Sequence, residues 1–333
     1  VGSGSLVLLG LIYLVYPYDL IPDQMPYGLT DDAAVLLLCF AAALYLAPDV
    51  LRGQVRDRGL FTLRVLRADL GNFGLIQHRY VDGFLISGKN SGSHWVKYML
   101  SLALAEKHGL APPRFCSGKH ADCLVGRADR ARCGRGFPQI ATSHTIPSIA
   151  FSWVRLPGFV RQPKVVLLVR DIPDALRSGF NKWQDRYQTD VSDFVRGDPA
   201  GKRFIADIWW YIHFFNRWGA LHRAQPERVL LVRYEDILKD PLAALRRIAR
   251  HLDLDFADAT LTRAVALSGK DRMREMQDPD AGETIVPACG PAPVLGDGDL
   301  AVLEAIAARF LRYDLDRPDV TLPHGRRDSL SPA

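Results

Sequence analysis

Ser87-Gly88-Lys89-Asn90-Ser91-Gly92-Ser93-His94-Trp95 is the stretch on which the fold turns. It follows the apolar run Phe84-Leu85-Ile86 and leads into residues 94–107, where apolar positions recur at helical spacing. The pattern predicts a buried strand, a loop of small residues, then a helix. Such a junction suits an anion. Backbone N–H groups at a helix start lack intrahelical partners, and the helix dipole favours negative charge there. Gly88 and Gly92 let the backbone come close to a ligand, and Ser91 and Ser93 add hydroxyl donors.

Outward from this junction, short apolar runs alternate with helical stretches. Residues 165–169 and 229–232 read as further strands. Residues 205–222, 241–252 and 300–311 read as helices, the first carrying Trp209, Trp210, Tyr211, Phe214 and Phe215 at the spacing of a core stripe. This alternation predicts an α/β chain: a P-loop-like three-layer fold with a central parallel sheet flanked by helices.

The N-terminal residues differ. Residues 6–16 and 33–47 are apolar, and the segment between them holds Pro17, Pro22, Pro26 and Gly28. The prediction is an α-helical hairpin, with Thr30, Asp31 or Asp32 capping its second arm. Each arm is shorter than the roughly 20 residues that span a bilayer. Three fates stay open: a hairpin in or across a membrane, one docked on the main domain, or an oligomer contact. Arg52, Arg56, Arg58, Arg64 and Arg67 follow it, and basic flanks favour the cytoplasmic side. We therefore expect a cytoplasmic location, at the cytoplasmic face of a membrane if the hairpin touches one. The boundaries read as a hairpin over 1–50, a linking helix over 51–79, a main domain over 80–320 and a polar tail over 321–333.

The formal charge is +5 in 333 residues, which suits an anionic ligand, while no basic run interleaved with aromatics points to nucleic acid. Five cysteines, an odd and sparse set, exclude a disulfide framework and favour a reducing compartment. Cys116, His120, Cys123 and Cys133 have zinc-ligand chemistry but lack a Cys-x2-Cys pair, so they read as a loop of unpaired thiols and no metal is expected. The chain begins at Val1 rather than Met, the pattern of a sequence whose true start lies upstream.

Two resemblances are carried by these residues. Pro17-Tyr18-Asp19-Leu20-Ile21-Pro22-Asp23, with Gly28 and Asp31-Asp32, resembles the YkvA-like domain of unknown function over residues 6–47. Residues 80–313 resemble the sulfotransferases that use 3′-phosphoadenosine 5′-phosphosulfate (PAPS). Their first loop commonly reads Pro-Lys-Ser-Gly-Thr-Thr-Trp; here Ser91-Gly92-Ser93-His94-Trp95 follows that pattern. The resemblance implies that Asn90, Ser91, Gly92, Ser93, His94 and Trp95 hold the 5′-phosphosulfate, with Trp95 on the adenine. A strand ending in Arg170, with Ser178 eight residues on, matches the family's 3′-phosphate site. An Arg fork also fits phosphate on chemical grounds. Tyr234-Glu235-Asp236-Ile237, followed by Asp240-Pro241, matches a third element whose Tyr lies near the adenine, and it leaves Glu235 and Asp236 to cap the next helix.

The resemblance also supplies the chemistry. Pro138-Gln139-Ile140-Ala141-Thr142-Ser143-His144 aligns with the segment that carries the family's general base, which makes His144 the base and His94 a fallback. The family's catalytic Lys is replaced by Asn90, which leaves Lys89 or Lys97 to relieve charge, Lys89 being preferred. Thr142 replaces another family Lys. The late Arg-Lys-Gly stretch has no counterpart, although Lys270, Arg272 and Arg274 are basic. The implied reaction is direct in-line sulfuryl transfer to a hydroxyl or amine, leaving 3′-phosphoadenosine 5′-phosphate (PAP). A membrane-proximal hairpin favours a lipid or glycan acceptor. Two other readings stand beside it. Gly83-x4-Gly88-Lys89 approximates a nucleoside-triphosphate loop of a kinase or NTPase, although Asn90 stands where Ser or Thr would hold magnesium. Asn90 and Thr142 also fit a silent nucleotide-binding module at a membrane.

Overall fold

β1 (Gly83–Ser87) is buried along its whole length at the centre of a five-stranded, all-parallel sheet. On one side lies β3 (Ile140–Ser143), in register from Gly83 opposite Ile140 to Ile86 opposite Ser143. On the other lies β4 (Lys164–Val169), from Gly83 opposite Lys164 to Ser87 opposite Leu168. The edges are β2 (Val125–Gly126) beyond β3 and β5 (Val229–Arg233) beyond β4. This is a computed structural model, and it describes residues 8, 29–72, 78, 80–129, 134, 136–148, 163–281, 285 and 293–316.

The helices, in chain order, are α1 (Leu29–Tyr45), α2 (Asp49–Gly71), α3 (Ser93–His108), α4 (Ile172–Tyr187), α5 (Val191–Arg196) and α6 (Ile208–Ala224). They continue with α7 (Tyr234–Lys239), α8 (Pro241–His251), α9 (Asp258–Ala266), α10 (Lys270–Glu275) and α11 (Asp297–Phe310). A parallel sheet hides both faces under helices, which is why β1 and β4 read as unbroken apolar runs. On one face, Val96, Met99, Leu100 and Leu104 of α3 pack with Leu85, Val166 and Leu168 of the sheet. Leu245 and Ile248 of α8 and Leu261 of α9 complete that core.

α6 buries an aromatic stripe. Trp209, Tyr211, Phe214, Phe215 and Trp218 are all buried, and Trp218 Nε1 donates to the Thr145 carbonyl at 3.0 Å. Its N-cap, Asp207, is fully buried. The carboxylate accepts the N–H groups of Trp210 and Asp198, each at 2.8 Å, and pairs with Arg64 at 3.0 Å. Arg64, counted in the sequence among cations flanking a membrane hairpin, is thus spent on an internal ion pair. Burial, with the Arg217 and Arg64 charges adding to it, pushes His213 of α6 down to about 3, so it stays neutral at working pH.

The chain divides into two compact units, residues 1–63 and 64–333. In the first, the second apolar run is helical, but α1 begins at Leu29. Thr30, Asp31 and Asp32 therefore lie inside its first turn rather than ahead of it as caps. The first arm and most of the intervening loop fall outside the described residues, Leu8 excepted. No helix among the described residues is long and apolar enough to cross a membrane.

Parallel strands put all their carboxyl ends at one edge. The chain also reverses direction across the sheet at β1, with β3 to one side and β4 to the other, and ligands of open α/β sheets bind at that kind of reversal. Four segments emerge there: the loop after β1, His144 after β3, Arg170 after β4 and Tyr234 after β5.

Candidate functional site

The loop after β1 is bound tightly on its carbonyl side. Tyr211 Oη donates to the Lys89 carbonyl at 2.6 Å, and Arg170 Nη1 donates to the Asn90 carbonyl at 3.2 Å. The Gly92 carbonyl accepts Trp95 N–H at 3.0 Å as α3 begins. Among the described residues no acceptor takes the backbone N–H of Asn90, Ser91, Gly92 or Ser93. Carbonyls tied back and amides left open, at the start of a 16-residue helix, are an arrangement suited to an anion.

Its geometry depends on Gly92, at φ 81° and ψ 17°. A Cβ there would lie 2.5 Å from Tyr234 Cδ2 and 2.6 Å from Cε2, so the tyrosine ring lies directly against the loop. Gly92→Ala is expected to cost about 2 kcal/mol or more from the positive φ and the displaced ring together. Thermal melting against wild type checks this, with a fall of at least about 4 °C expected.

Tyr234 and Arg170 form the next part of the site. The Arg170 guanidinium carbon lies 4.7 Å from the centre of the Tyr234 ring, a cation–π contact. Trp95 meets the same ring edge-on, with centroids 6.5 Å apart, and its Nε1 donates to the buried Ser268 hydroxyl at 3.2 Å. Arg170 reaches Asp174 only at 3.9 Å, and its buried Nε has no hydrogen-bond partner. Ser178 is half-buried one helical turn beyond Asp174 on α4.

His144 is exposed at the mouth of this edge. Its Nδ1 lies 2.9 Å from the Ser87 carbonyl and 3.1 Å from the Ser87 hydroxyl. A carbonyl only accepts, so in the neutral ring Nδ1 carries the proton and Nε2 holds the basic lone pair. His94 is the second residue of α3, half-buried. Lys89 is half-buried in the loop itself.

Two sequence expectations change. Lys97 is buried on α3 and paired with Asp122 at 2.7 Å, which removes it as a source of positive charge in the loop. Glu235 and Asp236 do not cap the next helix. Asp240 does, its Oδ1 accepting Ala243 N–H at 2.9 Å with Pro241 in the first turn. Asp236 instead takes a two-pronged bond from Arg233 at 3.1 and 2.9 Å, while Glu235 faces the Asp171 N–H at 3.4 Å. The triphosphate-loop spacing falls on the strand that the apolar run already indicated, since Gly83–Ser87 is the buried β1. Of the thiol set, Cys133 and the His120 side chain lie outside the described residues, and Cys116 is buried, its Sγ donating to the Met273 carbonyl at 3.2 Å.

Two participants were not singled out from the sequence. Arg233 Nη1 donates to the Asp316 carbonyl at 2.9 Å, and the Asp316 side-chain carboxyl lies near Glu235 and Asp171. Burial, then the Glu235 and Asp171 charges, push Asp316 up to about 6. Tyr211 is the other participant, visible in the sequence only as part of an aromatic stripe.

A family model described as Sulfotransferase domain matches residues 81–283, well over half of the chain and every site residue just described except Asp316. The chain belongs to the sulfotransferase domain family. A second model, Protein of unknown function (DUF1232), matches residues 5–38. No curated protein matches the sequence. Among solved structures, a mouse sulfotransferase complexed with PAP is 16% identical, with 73% of this chain and 91% of that one covered, at a TM-score of 0.48. Retinol dehydratase, in complex with androsterone and inactive cofactor PAP, is 17% identical over 73% and 82% of the chains, at 0.45. The sulfotransferase domain of a Synechococcus olefin synthase is 18% identical over 68% and 94%, at 0.32. As a sulfotransferase, this chain presents the family's α/β architecture, with the cradle and its neighbours at the carboxyl edge of the sheet.

Proposed function

We propose that this sulfotransferase takes its sulfuryl group from PAPS and passes it directly to a hydroxyl or amine acceptor. The observation that carries the reading is the loop of residues 89–93, with its carbonyls bound from behind, its amides open, and Arg170 and Tyr234 beside it. PAPS, when bound, supplies the sulfuryl group. The open amides of Asn90, Ser91, Gly92 and Ser93 hold the 5′-phosphate end. Lys89 adds positive charge where the leaving oxygen gains negative charge, and His94 lines the loop at the helix start. Arg170 and Ser178 take the 3′-phosphate, and Trp95 and Tyr234 flank the base. His144 accepts the acceptor's proton at Nε2, its Nδ1–H being held by Ser87. The domain boundaries that accompany this reading are a hairpin over 1–50, a linker over 51–79, a catalytic domain over 80–320 and a tail over 321–333.

The test is calorimetric titration of the full chain with PAP, AMP and Mg-ATP. PAP should bind roughly 10- to 100-fold more tightly than AMP, the worth of charge-assisted hydrogen bonds to the 3′-phosphate. Preference for Mg-ATP, or no binding by a folded chain, overturns the reading. Binding of PAP without any turnover of PAPS would instead favour the silent module suggested by Asn90 and Thr142.

A further inference from the structure

An anion cradle works only while its own carbonyl oxygens face away from the anion, since each is a fixed partial negative charge. In this loop the first carbonyl, that of Lys89, is held by a side chain from another element. Tyr211 of α6 is 1% exposed, on the helix that also buries Phe214, Phe215 and Trp218. Its hydroxyl has one proton to donate, and that proton goes to Lys89 O at 2.6 Å. Burial pushes the phenol far up, so it remains a donor at every working pH.

The next residue is held from the same side. Asn90 sits at φ 56°, a left-handed conformation that asparagine tolerates better than most. Its amide is hydrogen-bonded with Tyr211 and donates to Ala175 O of α4 at 3.5 Å. It also lies against Gly179 of α4, where a Cβ would come within 2.8 Å of Asn90 Nδ2. So the side chain at this position is directed toward α4 and α6 and not along the open amides. The lysine that the family's pattern places there would have to give up this seat.

We propose that Tyr211 is a positioning residue for the 5′-phosphate end of the donor, with Asn90 and Gly179 as its partners: together they hold the first two loop residues so that the amides face the ligand. The proposal rests on the preceding reading of the loop as the 5′-phosphate cradle. It assigns Asn90 the task of holding the loop, which leaves Lys89 to bring charge.

The test compares PAP with adenosine 3′-phosphate, which lacks the 5′-phosphate, by calorimetry on wild type, Tyr211→Phe and Gly179→Ala. Tyr211→Phe should weaken PAP by about tenfold, the upper range for one hydrogen bond, while adenosine 3′-phosphate stays within about twofold. Gly179→Ala should shift binding in the same direction by displacing the Asn90 amide. Alanine is the better helix former, so this variant carries the test should Tyr211→Phe fail to fold. A PAP affinity unchanged in both variants overturns the proposal, and so does an equal loss for both ligands, which would mark general damage to the domain. If wild type itself binds the two ligands equally, the cradle reading fails first. If wild type prefers PAP and both variants keep the whole preference, only the role of Tyr211 fails.

Discussion

Arg170→Ala is expected to lower PAP affinity by about 100-fold while the domain stays folded, the loss of two charge-assisted hydrogen bonds to one phosphate. The side chain joins three elements at the carboxyl edge of the sheet: the Asn90 carbonyl in the loop, the Tyr234 ring after β5, and Asp174 on α4. None of these contacts is a close ion pair, because the Asp174 carboxylate stands 3.9 Å away. A guanidinium only 21% exposed, with its Nε lacking any hydrogen-bond partner, is under-satisfied for its burial. A dianionic phosphate is the ligand that would complete it. AMP, which has no 3′-phosphate, should lose only a few-fold in the same variant, through the released Asn90 carbonyl. Arg170→Lys keeps the charge but loses the fork and the stacking, so it should recover only part of the affinity. Calorimetry with PAP and AMP on the three proteins, and circular dichroism to confirm folding, decides the matter. Wild-type PAP affinity in Arg170→Ala would remove the residue from the site.

How much of this was legible depends on which physical signal each residue carries. β1 and β4 were readable because a strand buried on both faces is an unbroken apolar run, and no observed end differs from the sequence reading by more than one residue. The loop was readable because small residues between a strand and a helix have few other uses. β2 was not, since two residues contain no period. Lys97 looked available from its distance along the chain, but its partner Asp122 arrives from a separate turn, a pairing that no spacing rule encodes. The replacement of the family's lysine by Asn90 was plain in the sequence, but its seat was not, because Ala175, Gly179 and Tyr211 belong to two other helices. Tyr211 did leave a trace. A tyrosine placed among buried Trp and Phe must find a partner for its hydroxyl, and that requirement separates it from its neighbours on the stripe. The cap of α8 was likewise present in the sequence, as Asp240 before Pro241, an N-cap followed by the residue best suited to a first helical turn.

His144→Ala is expected to lower turnover by about 10²- to 10⁴-fold, the usual worth of a general base, and to leave PAP affinity within about twofold. The separation follows from position. His144 follows β3 and is exposed, and its Nδ1 rests on Ser87, the last residue of β1. Arg170 and Tyr234 emerge instead after β4 and β5, on the other side of β1, so removing the imidazole is expected to spare the donor seat. Turnover can be read as PAP formed from PAPS, with simple hydroxyl compounds as acceptors. The size of the defect should depend on the acceptor. An acidic phenol that is already ionised in the assay needs no base, and the variant should use it nearly as well as wild type. An unactivated alcohol keeps its proton until the sulfur–oxygen bond begins to form, and with it the variant should show the full loss. The gradient distinguishes a missing base from a misshapen acceptor site, which would penalise acceptors by size instead of acidity. A defect that is uniform across acidity would take the base role from His144. A variant that retains wild-type turnover with alcohols would move the role to another group, with His94 at the start of α3 the first to be tested by the same gradient.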